Sequence, residues 1–180
     1  MCDVTAVDAA GHYRKLLQLG RDEFLASAAP AVLVRFRRDD DELDAPGATT
    51  ATVDDPRPRD HNEATLPFAK DLPLEVELEI YPLAKKSGAS FPDRITIGRT
   101  ANNDVVIADP SVSRLHAYVK RSGDAWTVTD AGSKNGSWLR GIAIEPRKEL
   151  PLPPSAVLRF GEVDVTFYLA RDLFAVLGGS

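Results

Sequence analysis

Gly98-Arg99, Asn103-Asp104-Val105-Val106-Ile107, Ser113-Arg114-Leu115-His116-Ala117 and Asp130-Ala131-Gly132-Ser133-Lys134-Asn135-Gly136-Ser137-Trp138-Leu139-Arg140-Gly141 follow one another in this order along the chain. Short apolar blocks alternate here with clusters of Gly, Asn, Asp and Ser, which is the punctuation of strands joined by turns. Upstream, Leu74, Val76, Leu78 and Ile80 alternate with Glu75, Glu77 and Glu79, the period of a strand with one buried face. Further strands are predicted over 94–97, 105–107, 115–120, 126–129, 137–139, 157–160 and 163–169. Many short strands divided by turn residues predict an all-β sandwich, closed by a short helix over 172–177.

The rest of the composition narrows what such a module does. The chain has 180 residues, 43% hydrophobic and 27% charged, which accommodates one ordinary domain and an appendage. The single cysteine, Cys2, excludes an internal disulfide and a cysteine-built zinc site. His12, His61 and His116 are too few for a histidine metal cluster, so neither metal nor cofactor is expected. No apolar run approaches the roughly 18 residues that span a bilayer, and Met1-Cys2-Asp3 lacks the basic-then-apolar layout of a secretion signal. The expectation is a soluble, cytoplasmic protein without a membrane partner.

Charge divides the chain into three parts: an appendage over 1–38, an acidic linker over 39–73 and the β module over 74–180. Between Asp39 and Asp60, eight acids face only Arg57 and Arg59, a local net of -6. From Leu74 to Ser180, thirteen acids balance thirteen basic residues, so the total of -5 is carried by the linker. A neutral module gives nucleic-acid binding no support. With Pro46, Gly47, Pro56 and Pro58 and few large apolar residues, the linker is expected to be disordered. Ahead of it, Tyr13, Leu16, Leu17, Gly20 and Phe24 share one face of a helix predicted over 9–28, which Pro30 ends, and 31–36 reads as a short strand. This segment is either a cap on the main module or on a second copy, or a docking helix for another protein, since so short a piece cannot bury its own apolar face.

The four quoted blocks, Gly-Arg, Asn-Asp-hydrophobic, Ser-x-x-His and Ser-x-Asn-Gly-Ser, resemble in order and separation the signature of the forkhead-associated (FHA) domain. The resemblance covers roughly Leu74 to Leu169 and implies a phosphothreonine-binding β-sandwich of about 11 strands. It assigns ligand binding to Arg99, Ser113, Lys134 and Asn135, with Arg114 beside them as a further contact to peptide or phosphate. The residue types suit the task. Arg99 offers a planar fork of donors for phosphate oxygens, and such charge-assisted bonds are about twice as strong as neutral ones. Ser113 has a hydroxyl to donate, Lys134 a mobile charge, and the Asn135 amide can hold an extended peptide backbone. Gly98, Asp104, Gly136 and Gly141 are expected to shape turns and loops. Arg140 stands where the family usually has asparagine and is expected to make the outer edge of the binding loop more basic.

Three functions remain open at this level. The first is a non-enzymatic phosphothreonine-dependent interaction module in serine/threonine kinase signalling, with a phosphorylated protein, or a serine/threonine kinase itself, as partner. The second is an adaptor or assembly protein, for example of a secretion system, that uses the same fold without reading phosphate. The third is an enzyme built on Ser113, His116 and Asp109 as nucleophile, base and orienting acid. The resemblance disfavours it, because in the family this histidine is a scaffold residue. The linker adds a candidate ligand within the chain itself. Thr49, Thr50 and Thr52 lie in it, and Asp55 stands three residues after Thr52, the position by which these domains often select peptides. A flexible chain of the length from Thr52 to Leu74 spans about 25 Å, enough to reach the module.

Overall fold

The computed structural model describes residues 6–37, 77–88 and 91–178. Two helices, α1 (Ala6–Gln18) and α2 (Arg21–Ser27), lead into β1 (Ala31–Arg37). Ten strands follow: β2 (Glu77–Pro82), β3 (Ile95–Gly98), β4 (Val105–Val106), β5 (Ala117–Ser122), β6 (Ala125–Asp130), β7 (Ser137–Leu139), β8 (Ile142–Ala143), β9 (Glu149–Pro151), β10 (Val157–Phe160) and β11 (Val163–Leu169). A last helix, α3 (Ala170–Val176), closes the described chain. The strands form a six-stranded sheet, β2-β1-β11-β10-β7-β8, and a five-stranded sheet, β4-β3-β5-β6-β9. All pairs are antiparallel except β3 with β4.

The apolar pattern explains the layers. Leu33, Ile97, Val119, Val128, Leu158, Phe160 and Phe167 are fully buried between the two sheets. The outer face of the six-stranded sheet is also apolar at Val32, Val34, Ile80 and Tyr168, and there Tyr13 and Leu16 of α1, Phe24 of α2, and Leu173 and Phe174 of α3 cover it. This is why β1 opens with four consecutive buried residues: Ala31 and Leu33 face the sandwich, Val32 and Val34 the helices.

The segment expected as an appendage therefore contributes a strand to the interior of a sheet, with β1 seated between β2 and β11. The single helix expected over 9–28 is two helices. Gly20 sits between them at φ 97°, a backbone region that side chains disfavour, and turns the chain so that Phe24 meets Tyr13 from a second axis. β8 and β9 went unforeseen because both are short and lie at sheet edges, and β9 ends in a proline. The linker over 39–73 lies outside the described residues, as do Thr49, Thr50 and Thr52.

Candidate functional site

Strand direction brings three loops to one end of the sandwich: Arg99 to Asp104 after β3, Ile107 to His116 before β5, and Ala131 to Gly136 after β6. Direct hydrogen bonds tie them together. The Arg99 N–H donates to the Ser113 carbonyl at 3.0 Å. The buried Asn103 amide donates to the carbonyls of Thr100 at 2.8 Å and Arg114 at 2.6 Å. Gly98 permits this closeness, since a Cβ there would lie 2.2 Å from the Arg114 carbonyl oxygen. From the third loop, the Lys134 N–H donates to Ser113 Oγ at 3.0 Å, and Asn135 Nδ2 donates to the Ser111 carbonyl at 2.7 Å.

The structure thus places Arg99, Ser113, Arg114, Lys134 and Asn135 on adjoining loops. The Arg99, Arg114 and Lys134 side chains are exposed and have no ion-pair or hydrogen-bond partner among the described residues. Ser113 Oγ already accepts one hydrogen bond, so its hydroxyl hydrogen is left to donate outward. Unpaired cations beside an unspent hydroxyl donor suit an oxyanion with several acceptor oxygens.

Beneath the loops, His116 is fully buried. Its Nδ1 accepts from the Ser113 N–H at 2.9 Å, so Nε2 carries the hydrogen and donates to the Gly136 carbonyl at 2.9 Å. Burial pushes the imidazole below its ordinary range, against smaller opposing effects of the Gly136 carbonyl and Asp130. Both ring nitrogens are spent on backbone, and Asp109, the acid of the catalytic alternative, accepts from the Ser111 N–H and hydroxyl instead. His116 therefore braces the second loop against the third and has no nitrogen left to take a proton from the Ser113 hydroxyl.

Two buried carboxylates anchor the same loops. Asp130 accepts from the N–H groups of Gly132 and Ser133, at 2.8 and 2.9 Å, and from the hydroxyls of Ser133 and Ser137. Asp104 accepts from Lys85 Nζ at 2.8 Å, the Thr96 N–H at 2.8 Å and the Lys86 N–H at 2.9 Å. Burial alone would raise both acids, but the donors together outweigh it and hold them below the usual carboxylate range. Sequence reasoning gave Asp130 and Asn103 no role. The available signal was the Asp130-x-x-Ser133 spacing, the pattern of a side chain capping its own loop.

Arg140 is misplaced by the sequence expectation. It follows β7, which starts beside Gly136 and carries the chain away at about 3.3 Å per residue, so Arg140 stands about 13 Å further along. There it lines a far-end groove of about 510 Å³ with Trp126, Ile142, Leu152, Phe167 and Leu169. It is not part of the edge of the three loops.

A model of the FHA domain matches residues 95–161, which contain all three loops. An oxoglutarate dehydrogenase inhibitor of Corynebacterium jeikeium is 33% identical over 109 residues, covering 59% of this chain and 74% of that protein. The chain belongs to the FHA-domain family. Protein FraH of Nostoc sp. is 26% identical over 102 residues, covering 57% of this chain but only 33% of FraH, so the chain spans about a third of that relative. Among solved structures, Mycobacterium tuberculosis EmbR in complex with a low affinity phosphopeptide is 28% identical with a TM-score of 0.40, covering 43% of this chain and 20% of EmbR. The FHA match runs from β3 to just past β10, so β1, β2, β11 and the three helices lie outside it.

Proposed function

We propose that this chain is a non-enzymatic, phosphothreonine-dependent interaction module serving serine/threonine kinase signalling in the cytoplasm. The observation that carries this reading is the convergence of Arg99, Lys134 and the unspent Ser113 donor on hydrogen-bonded loops. Arg99 pairs with phosphate oxygens in a fork, Ser113 donates to the same group, and Lys134 and Arg114 add charge at its flanks. Asn135, with its nitrogen held by Ser111, offers Oδ1 to the backbone of an extended peptide. The kinship with an oxoglutarate dehydrogenase inhibitor favours regulation by binding. Titration with a degenerate phosphothreonine peptide library tests the reading, and the same affinity for unphosphorylated peptides would leave only a phospho-independent adaptor.

A phosphothreonine peptide is expected to bind about tenfold more tightly than its phosphoserine counterpart, because one methyl in a small apolar niche is worth that much. Calorimetry with two peptides differing in that methyl decides it. Equal affinities would show that these loops hold no such niche.

The linker threonines enter as a candidate intramolecular ligand. β1 ends at Arg37 and β2 begins at Glu77, paired with each other, at the end of the sheet where Arg35 lies 3.8 Å from Asp109 of the second loop. Both ends of the intervening stretch are therefore anchored beside the site, and a tethered phosphothreonine acts at an effective concentration in the millimolar range. Phosphorylation of Thr49, Thr50 or Thr52 by a serine/threonine kinase is expected to weaken binding of an external phosphothreonine peptide. The effect should vanish when all three are changed to alanine; unchanged binding after stoichiometric phosphorylation would exclude it.

A further inference from the structure

Arg35 shares with Ala31 and Leu33 the face of β1 turned toward the opposite sheet. Its guanidinium, about one-fifth exposed, lies 3.7 Å from a Glu79 oxygen on the neighbouring strand and 3.8 Å from Asp109 Oδ2. Glu79 is held in turn by the Tyr81 hydroxyl at 2.7 Å. Asp109 belongs to the loop between β4 and β5, so this contact crosses from one sheet to the other. With its second oxygen Asp109 accepts from Ser111 twice, from the N–H at 3.0 Å and from the hydroxyl at 2.6 Å. Ser111 Oγ also accepts from the Glu162 N–H at 3.0 Å, and the Ser111 carbonyl takes the Asn135 amide.

The contacts form a continuous chain from β1 to Asn135. Each link fixes the next: the charge on Arg35 aims the Asp109 carboxylate, Asp109 fixes the turn at Ser111, and the Ser111 carbonyl decides which end of the Asn135 amide points inward. We propose that Arg35 is a positioning residue for Asn135, acting through Asp109 and Ser111 on the acceptor that Asn135 presents to a ligand backbone. This rests on Asn135 holding the ligand, as argued above. Arg35, Glu79 and Tyr81 lie outside the stretch matched by the FHA model, whereas Asp109, Ser111 and Asn135 lie within it, so the relay starts on strands that the match does not include.

Arg37 supplies the control. It pairs with Glu79 at 3.4 Å from the same face of β1 and has no hydrogen bond or ion pair with Asp109. In the full chain, Arg35→Gln is expected to weaken a phosphothreonine peptide about 3- to 10-fold, the size of coupling within one charged network. Arg37→Gln should leave the affinity unchanged. In an Asn135→Ala background, Arg35→Gln should cause no further loss, whereas a general loosening of the fold would weaken both backgrounds alike and overturn the proposal. A second readout is independent of phosphopeptide binding. In the ligand-free protein, the side-chain amide resonances of Asn135 should shift in Arg35→Gln and stay in place in Arg37→Gln. Should no phosphothreonine peptide bind the wild-type chain, the reading of the pocket fails while these resonances still judge the relay, and unmoved resonances in Arg35→Gln would overturn it.

Discussion

Replacing Arg99 by alanine is expected to weaken phosphothreonine peptide binding by about 30-fold or more, with no loss of fold. The side chain is exposed and meets no protein partner among the described residues, so its removal leaves no buried group unsatisfied. The loop itself is held by backbone, through the Arg99 N–H on the Ser113 carbonyl and the Asn103 amide on the Arg114 carbonyl, and neither bond uses the guanidinium. Truncation thus takes charge from the ligand and leaves the scaffold in place. Lysine should restore only part of the affinity, because it replaces a planar fork by a point charge. Calorimetric titration beside a thermal unfolding curve separates the two effects. Unchanged affinity, or a collapse of stability in Arg99→Ala, would refute the assignment of the pocket.

Much of the fold was legible because strand alternation and turn residues are local signals. β7, β10 and β11 fall on the residues that alternation predicts. The expectations that changed depended on information from elsewhere in the chain. β1 looks like an isolated strand until its partners, some forty and more than a hundred residues away, pair with it on either side. Gly20 looks like one more position on a helix face, and only its backbone angle reveals the corner. At the site, exposed residue types such as Arg99 and Lys134 could be singled out by chemistry, whereas Asn103 and Asp130 act from inside by holding backbone. Their importance lies in which N–H and C=O groups the loops leave unpaired, and that is settled by three-dimensional closure. Arg140 shows the converse error: near the motif in sequence, it is carried out of reach by the direction of β7.

The same buried support makes His116 a position on which stability depends. Its ring is fully buried, packs edge-on to Phe160 with centroids 5.5 Å apart, and satisfies the Ser113 N–H and the Gly136 carbonyl. His116→Ala removes the ring and leaves both backbone groups without their partner, a cavity and two lost hydrogen bonds together costing about 3 to 5 kcal/mol. The imidazole also predicts a pH dependence with a definite sign. Burial lowers its pKa from the ordinary 6.5, so the unfolded chain binds the proton more tightly than the folded one. Its contribution to stability is complete above about pH 6.5 and is lost progressively as pH falls toward the folded-state value, at up to about 1.4 kcal/mol per pH unit. Asp104 and Asp130, lowered from 3.8, act the same way in a lower window: what they contribute is present above about pH 4 and lost as pH falls through their folded values. Urea unfolding of the wild type between pH 7.5 and 5 should therefore show stability falling as pH drops through the histidine window. His116→Gln, which keeps a polar side chain without a titratable ring, should lose that slope even if His116→Ala is too unstable to titrate. Parallel pH profiles for wild type and His116→Gln would show that the proton is taken up elsewhere and that the buried neutral imidazole is not what couples these loops to acid.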